Sequence, residues 1–429
     1  MKKIILILVT MVLSTGVLLS EGSKEAVKKS QQSGPIAIWT FINKDEAAII
    51  KDEIIPESKT GVAVDFVLIP SGEYEQKLRI ALNSGTAPDI FYVDGVYTAN
   101  YAYNGALMSL DKYWDRADFE DYVQSSQDKC QLKGSIYAAS LYETSCVLFY
   151  NKDHFSKAGL TSAVTAVKDA WTYDQLVDAA KKLTITDPKG STVQFGLLPG
   201  MSSPDVGNEG ATFTDLLWLW NHGGEVTDPQ MKTAIGYFDG EKSKTALRSY
   251  AELFQTLKVS PLESVTQGFQ TGKISMMIHN ISNSSGFTRN YPGLNYGVMP
   301  VPVGERAYST SGGWNIAISA QCKNPDRAWK VLSALTGKEG HASFCDRLNY
   351  MPSRKSTLAS VKKFQEYPLS VGIELLKSNP RARPITPAYA EISPLIAEAF
   401  NAAAFGENVD KVAADAAKKI DKILKKYGN

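Results

Sequence analysis

The side chains that could carry out chemistry in this chain of 429 residues do not form a known catalytic motif. The four histidines stand far apart, and none pairs with another at the His-x-x-x-His or His-Glu-x-x-His spacing of helical zinc sites. The sequence also lacks a Gly-x-Ser-x-Gly nucleophile turn, a Gly-x-x-x-x-Gly-Lys phosphate loop and a Gly-x-Gly-x-x-Gly fingerprint after the first strand. We therefore predict a protein with no cofactor and no bound metal, and we disfavour a zinc hydrolase or a nucleotide enzyme.

Two carboxylates stand where predicted strands end. Asp94 follows "DIFYV" and Glu143 follows "AASLY". Strand ends in an open α/β sheet face the ligand crevice, so either residue could contact a ligand, although a surface charge or a helix cap explains each equally well. A glycosidase also uses two carboxylates, and its signature is a separation in space that the sequence does not reveal. An exported carbohydrate-active enzyme therefore stays an alternative.

Aromatic residues recur beside polar residues at predicted strand ends and loops. A pyranose has an apolar C–H face that packs on an aromatic ring, and its hydroxyls need donors and acceptors. Carboxylates with Asn and Arg side chains would supply them, so the mixture favours a sugar-binding cleft. The two tryptophans of "TDLLWLW" point in different directions on a helix, so at most one should face a ligand, and both could be core residues. The aromatic residues concerned are Trp39, Tyr92, Tyr97, Tyr142, Trp218, Trp220 and Trp314.

The stretch "SGGWNIAIS", residues 311–319, places a tryptophan after two glycines and before an apolar strand. Gly312 and Gly313 let the backbone turn tightly and pass close to a ligand. Trp314 would then offer a stacking face, and the alternative is a core tryptophan beside a turn.

Length and composition indicate a soluble protein of two lobes. Single cores stop growing at roughly 250 to 300 residues, and this chain is longer. The 46 basic and 45 acidic side chains nearly cancel and leave a net charge of +1, without a basic stripe for a phosphate backbone. Nucleic acid is therefore not an expected partner.

The N-terminus is typical of a secretory signal. Two lysines precede an apolar run at residues 4–13, which is shorter than the roughly 20 residues that a membrane-spanning helix needs. We predict a signal peptide at residues 1–20 and a flexible tether at residues 21–35, with export to the periplasm or the cell surface. Glu21 occupies the position where bacterial lipoproteins carry the acylated cysteine, so a lipid cannot be attached there.

The four cysteines form two local pairs in a chain that we expect to reach an oxidising compartment. Disulfides within each pair and four buried free thiols both stay open. The pairs are Cys130 with Cys146 and Cys322 with Cys345.

Strands and helices alternate in the first part of the chain, which predicts parallel strands with crossover helices and hence an α/β sheet. The strands are "PIAIWTF", "VAVDFVLIP" and "DIFYV", and helical patterns separate them. The next two strands, "KGSIYAAS" and "SCVLFYNKDHF", leave almost no room for a helix between them. At this point the chain should leave one sheet and enter another.

In order and spacing, these segments resemble bacterial extracellular solute-binding proteins of the sugar-binding group, which are relatives of maltose-binding protein and the substrate receptors of ABC importers. The most specific of these segments are "GTAPDI" and "LFYNKD". Further similar segments are "GALMSLDKYW", "WTYDQLVDAAKKL", "GKISMMIHN", "GGWNIAISAQCKNPDRAWKVLSALTG" and "RPITPAYAEISPLIAEAFNAAAFGE".

The resemblance implies the two-lobed periplasmic-binding-protein fold, with two α/β lobes, three interlobe crossovers and a ligand cleft between the lobes. The crossovers are predicted near "AASLYE", near "YGVMPVP" and just after "GGWNIAIS". Lobe one would then comprise residues 34–141 and 300–320, and lobe two residues 142–299 and 321–429.

The resemblance also places cleft residues at the ends of strands and at the crossovers. Added to the residues singled out above, it completes a predicted ligand-binding set without catalytic members. The set comprises Trp39, Asp94, Tyr97, Tyr142, Glu143, Trp218, Asn280, Gly313, Trp314 and Arg383.

The function implied is high-affinity capture of a mono- or oligosaccharide, or a glycoside, by closure of the lobes about a hinge. The protein would act as a monomer, break no bond and deliver the sugar to the membrane permease of an ABC importer. A protein of the same fold could instead bind a non-sugar solute, such as glycerol phosphate, a polyamine or iron.

Overall fold

The computed structural model describes residues 34–160, 163–201 and 209–428. The predicted signal peptide and the tether as far as residue 33, including Glu21, lie outside the described residues. Within the described ranges, no helix combines the length and the apolar character that crossing a bilayer requires.

The strands of the described residues form two main sheets and one short hairpin. They are β1 (Ile36–Thr40), β2 (Val64–Leu68), β3 (Ile90–Asp94), β4 (Gln131–Leu132), β5 (Ser135–Ile136), β6 (Ala139–Ser140), β7 (Thr144–Asn151), β8 (Ile185–Thr186), β9 (Thr192–Leu198), β10 (Ile274–Asn280), β11 (Tyr296–Pro300), β12 (Ser309–Gly312), β13 (Trp314–Ile318) and β14 (Pro380–Ala382).

Helices pack around these sheets. The α-helices of the described residues are α1 (Lys44–Ile49), α2 (Ile55–Glu57), α3 (Ser71–Ser84), α4 (Thr98–Tyr103), α5 (Arg116–Phe119), α6 (Gln124–Lys129), α7 (Lys152–Lys157), α8 (Tyr173–Leu183), α9 (Glu209–Asn221), α10 (Glu241–Gln255), α11 (Asn283–Asn290), α12 (Pro325–Thr336), α13 (Lys338–Leu348), α14 (Lys355–Ser360), α15 (Leu369–Ser378), α16 (Tyr389–Ala404) and α17 (Val409–Lys426). A π-helical turn, Ile50–Ile54, joins α1 to α2, and short 3-10 turns cover Gly95–Tyr97, Val167–Asp169 and Lys362–Gln365.

The first sheet has five strands in the order β2-β1-β3-β13-β6. β1 pairs in parallel with β2 and β3, as the alternation of strands and helices predicts. β13 runs antiparallel between β3 and β6. Every residue of β3 is buried, as expected for the central strand of an α/β sheet. The predicted α/β class is therefore confirmed.

The second sheet has the order β14-β12-β7-β10-β9-β8, and β11 also pairs with β7. All residues of β7 are buried, and β10, β11 and β12 pair with it in antiparallel orientation. We call the first sheet with its helices lobe one and the second sheet with its helices lobe two.

The chain passes between the lobes at short connections. Residues 141–143 lead from β6 in lobe one to β7 in lobe two, at the predicted crossover "AASLYE". Gly313 alone returns the chain from β12 in lobe two to β13 in lobe one. The third crossing follows α13, which packs on lobe one, and precedes α15, which packs against β7.

The second and third crossovers differ in position from the prediction. Residues 296–300 form β11, which pairs with β7 and so stays in lobe two. After β13 the chain stays in lobe one, because α12 packs against β13 and β1. β12 therefore falls in lobe two and α12 in lobe one, unlike the predicted boundaries of 300–320 for lobe one and 321–429 for lobe two. The cause is physical: an apolar strand pattern does not encode which sheet the strand joins.

All four cysteines are free thiols in the structure, and three of them are buried, so neither predicted disulfide is present. Cys130 ends α6, whereas Cys146 lies inside β7 of the other lobe. Cys345 is buried in α13, and Cys322 is partly exposed.

Gly313 forms the whole of the second crossing, and its geometry excludes a side chain. Its φ of +152° is rarely adopted by other residues, and a Cβ built on it would lie 2.0 Å from the carbonyl oxygen of Tyr142. Its own carbonyl oxygen accepts a hydrogen bond from the N–H of Gly95 at 3.0 Å. The first two crossings therefore touch backbone to backbone at this glycine.

We expect Gly313→Ala to lower the free energy of unfolding by about 2 kcal/mol or more, because the added methyl group must push the two crossings apart. Gly286→Ala is the matched control, since a Cβ at Gly286 in α11 meets nothing within 4 Å. That control should be neutral or slightly stabilising. Urea unfolding followed by circular dichroism measures both variants, and equal stabilities would contradict the backbone contact.

Candidate functional site

The end of β3, the first two crossings and the segment after β14 meet between the lobes. We call this region the seam, and it comprises residues 94–97, 141–143, 311–314 and 381–383. Trp314 and Asp94 are register partners where β13 and β3 meet it. The seam brings together the predicted residues Asp94, Tyr97, Tyr142, Glu143, Gly313, Trp314 and Arg383.

The buried guanidinium of Arg383 joins the two lobes at the seam. Its Nη2 donates to Oδ1 of Asp94 in lobe one at 2.8 Å, and its Nη1 donates to Oε1 of Glu209 in lobe two at 2.6 Å. Only 4% of the Arg383 side chain is exposed. The guanidinium carbon also lies 5.0 Å from the ring centroid of Phe213. Tyr97 adds a further bond between the lobes, because its hydroxyl donates to Glu209 at 3.4 Å.

Burial and charge act in opposite directions on this cluster. Burial alone would lower the pKa of Arg383, but Asp94 and Glu209 outweigh it and hold the pKa above its usual value. Burial raises the pKa of the Glu209 carboxyl, although Arg383 opposes the rise. Tyr389 also donates a hydrogen bond to Glu209, at 2.7 Å. Arg383 therefore stays positively charged, and its charge limits the rise in the pKa of Glu209.

The carboxylate of Glu143, in the same region, is bound by neighbouring side chains of the protein. Its Oε1 accepts hydrogen bonds from Nζ of Lys129 at 2.8 Å, from Oγ of Ser125 at 3.1 Å and from Oγ of Ser126. The side chain is fully buried, and that of Lys129 nearly so. Both predicted carboxylates of the seam are therefore neutralised by an internal cation.

Trp314 is half-buried and presents an aromatic surface beside these charges. Its ring lies 4.2 Å from that of Phe41 and 6.0 Å from that of Tyr74, measured between centroids. The ring of Tyr142 stacks on that of Tyr350 with centroids 4.3 Å apart. One side of the seam is thus lined with aromatic rings.

Trp39 lies near the seam, in the first strand of lobe one. It is half-buried in β1, and its carbonyl oxygen accepts a hydrogen bond from the Tyr74 hydroxyl at 3.0 Å. Tyr74 also contacts Trp314, so a backbone bond through Tyr74 links Trp39 to the aromatic group, with no ring contact of its own among the described aromatic pairs.

Asn280 is the last residue of β10 in lobe two. It is half-buried, and its Oδ1 accepts a hydrogen bond from Oγ of Ser282 at 2.7 Å. Its Nδ2 lies 3.9 Å from Sδ of Met201. These contacts all lie outside lobe one, so the structure does not join Asn280 directly to the aromatic group.

Trp218 lies away from the seam, in the core of lobe two, and this corrects its predicted ligand contact. The residue is 2% exposed, its Nε1 donates to Oγ of Ser249 at 2.9 Å, and its ring packs on that of Tyr173. Trp220 is equally buried. Helix α9 has neighbours on all sides, so the core alternative applies to both tryptophans.

The residues around the seam that the predicted set lacks include Phe41, Lys129, Glu209 and Tyr350. Phe41 could have been found, because it alternates with Trp39 at the end of the first strand. Lys129 and Glu209 carry no local signal, since their partners come from distant parts of the chain. Tyr350 lies in the third crossing, whose position the sequence did not reveal.

We expect Arg383→Met to lower the free energy of unfolding by about 3 kcal/mol or more, because it leaves two buried carboxylates without their cation. The deficit should shrink as the pH falls from about 7 to about 5. Loss of the cation raises the pKa of Glu209 further, so the folded variant binds a proton more readily than the unfolded chain does. Urea titrations at several pH values measure both effects.

Arg381→Met is the matched control for this substitution. The neighbouring Arg381 pairs with Glu225, but about a quarter of each side chain is exposed, so the loss should be about 1 kcal/mol or less. If Arg383→Met costs no more than Arg381→Met, the buried bridge does not hold the seam.

Solved structures of solute-binding proteins share the fold described above. A protein of Thermotoga lettingae bound with alpha-D-tagatose matches with a TM-score of 0.78 and 25% identity, covering 91% of this chain and 100% of that chain. The GacH receptor of Streptomyces glaucescens, solved unliganded and with acarbose, has a TM-score of 0.76 at 23% identity, with 92% and 99% covered. UgpB of Mycobacterium tuberculosis, in complex with glycerophosphocholine, has a TM-score of 0.76 at 20% identity, with 92% and 99% covered. The predicted two-lobed fold is confirmed.

Curated relatives and a family model agree with these structures. A binding protein of Brucella abortus (strain 2308) is 27% identical over 376 residues, covering 85% of this chain and 87% of that protein. A diacetylchitobiose-binding protein of Streptomyces coelicolor is 23% identical over 325 residues, covering 71% and 70%. The family model for bacterial extracellular solute-binding proteins matches residues 43–342. With that match over most of its length, the chain belongs to the bacterial extracellular solute-binding proteins.

Proposed function

We propose that this protein captures an uncharged sugar between its lobes and delivers it to the permease of an ABC importer. The sugar would be a monosaccharide, an oligosaccharide or a glycoside. The observation that carries the proposal is the half-buried ring of Trp314 at the seam, next to the charged groups of Asp94 and Arg383. A sugar needs both kinds of surface, because its C–H face packs on a ring while its hydroxyls bond to polar groups.

The charges of the seam favour an uncharged solute over the charged alternatives. A phosphate group would need an available cation, but Lys129 and Arg383 are both engaged by carboxylates. A polyamine would need available carboxylates, and Asp94, Glu143 and Glu209 are engaged by those same two cations. Displacing either partner of a buried pair leaves the other charge uncompensated, which is costly. A neutral polyol avoids that cost.

The enzyme and iron alternatives receive less support. A glycosidase needs one carboxyl as an acid and another as a base or nucleophile. Asp94 and Glu143 are instead each paired with an internal cation, Arg383 for Asp94 and Lys129 for Glu143. Over the described ranges, no group of three or more His, Cys, Asp or Glu side chains is arranged to hold a metal ion. The family and the fold are those of proteins that bind a substrate without transforming it.

The ligands named for several relatives are carbohydrates or polyols. They are diacetylchitobiose, erythritol or L-threitol, and alpha-D-tagatose. The glycerophosphocholine complex of a protein with the same fold is the exception, so a phosphate-bearing solute belongs in the test.

Capture would work through a shift of the population toward the closed arrangement of the lobes. A solute favours closure only by the contacts it makes in the closed form and lacks in the open one. Trp314 at the end of β13 and Asn280 at the end of β10 belong to opposite lobes, so a sugar that touches both would stabilise closure. The bonds of Arg383 and Tyr97 across the seam would then help to hold the closed form.

We also propose that the chain is exported by its N-terminal signal and works as a monomer beside the membrane. The membership of an extracellular family is consistent with export. Glu21 rules out lipid attachment at that position, so the protein would be free in the periplasm or held at the surface in another way.

Titration of the purified protein with a panel of neutral sugars, glycerol phosphate, glycerophosphocholine and polyamines tests the proposal. We expect at least one neutral sugar to change the tryptophan fluorescence and raise the melting temperature, because a ligand that binds only the native state stabilises it. A response confined to the charged solutes would overturn the sugar assignment. Conversion of any sugar into a product would show an enzyme instead.

We expect Trp314→Ala to weaken binding of the responding sugar about tenfold or more, since it removes the stacking surface. The melting temperature without ligand should change little, because the ring is only half-buried. Trp329→Ala is the matched control, since Trp329 is a half-buried tryptophan of lobe one that stacks on Tyr113. It should leave the affinity unchanged. A large loss of stability with unchanged affinity in Trp314→Ala would show that Trp314 is a core residue and not a ligand contact.

A further inference from the structure

A small cavity lies inside the seam, and several of the residues described above line it. Its volume is about 10 Å³, and its lining includes Glu143, Ser311, Arg383 and Lys129. All four residues are buried. They come from the first crossing, from the end of β12, from the segment after β14 and from α6. Val96 also lines the cavity, so each of the four segments of the seam reaches it.

Three polar atoms of the cavity residues are buried without a hydrogen-bond partner in the part of the chain that the structure describes. They are Oε2 of Glu143, Oγ of Ser311 and Nε of Arg383. Proteins pair nearly all of their buried polar atoms with protein groups or with ordered water, because an unpaired one is costly. Three such atoms in residues that line one small cavity therefore point to a partner that they share.

We propose that one water molecule binds in this cavity as an integral part of the seam. The volume suits it, since a cavity of about 10 to 15 Å³ holds one water. The chemistry suits it as well: Nε–H of Arg383 can only donate, a carboxylate oxygen of Glu143 can only accept, and the Ser311 hydroxyl can do either. Water accepts from the first, donates to the second and bonds to the third, which is the usual number of partners for a buried water.

The charges around the cavity select water over an ion. Lys129 and Arg383 would repel a cation, and Oε2 of Glu143 would repel an anion. A neutral molecule that both donates and accepts hydrogen bonds is repelled by neither set of charges.

The water has a consequence for the hinge that goes beyond sugar capture and does not depend on which solute binds. It joins the first crossing through Glu143, the strand before the second crossing through Ser311, and lobe two through Arg383. A bridging water is nearly as favourable as a direct hydrogen bond. The water would therefore help to hold the crossings and lobe two together in the arrangement that the structure shows.

A crystal structure of the mature protein, at a resolution that defines single waters, tests the proposal directly. We expect one spherical density peak within hydrogen-bonding distance of Glu143 Oε2, Ser311 Oγ and Arg383 Nε. The proposal is overturned if the cavity holds no peak, if the peak belongs to a chloride or a metal ion, or if Arg383 Nε and Glu143 Oε2 bond to each other.

A solution measurement adds a matched pair of variants. Ser311→Val places two methyl groups at the cavity, whereas Ser309→Val makes the same change on the same buried strand, where the hydroxyl of Ser309 already donates to the Cys146 carbonyl oxygen. Oxygen-17 relaxation dispersion counts long-lived waters. We expect one fewer in Ser311→Val than in the unmodified protein, and no change in Ser309→Val. An unchanged count in Ser311→Val contradicts the site, and if a variant fails to fold, the crystal structure of the unmodified protein decides.

Discussion

The buried ion pair between Arg383 and the carboxylates of Asp94 and Glu209 is the interaction on which the junction of the lobes depends. A cation that is almost fully buried is tolerated only when opposite charges and hydrogen bonds compensate it. Here one carboxylate comes from each lobe, so the compensation is complete only while the lobes meet at the seam. The nearby contact of Gly313 with the backbone of Tyr142 fixes the crossings at the same place.

This constraint also shapes what the seam can recognise. Because Lys129 and Arg383 already satisfy the carboxylates around them, the seam offers polar atoms without an uncompensated charge. Trp314 and the neighbouring ring of Phe41 supply an apolar surface beside these groups. Under the proposed function, recognition would depend on the shape and hydrogen bonding of the solute more than on its charge.

Sequence patterns predicted the fold class because it depends on local signals. A strand end and a pair of glycines singled out Asp94 and Gly313, and the structure brings both residues together in the seam. The bond between Arg383 and Asp94 spans 289 residues, and no pattern along the chain reports a contact of that kind. Trp218 was misplaced for a related reason, since an aromatic residue on an apolar helix looks the same whether its neighbour is a ligand or the core. The sheet that β12 joins was equally hidden, because pairing partners are chosen in space.

A crystal structure of the protein with its responding solute bound would test whether an uncharged sugar lies between the lobes against Trp314. We expect a sugar ring packed on the Trp314 indole, with hydroxyls bonded to groups of both lobes and with the ion pairs of Arg383 and Lys129 intact. A solute bound outside the seam, or a charged solute that has displaced one of those ion pairs, would contradict it.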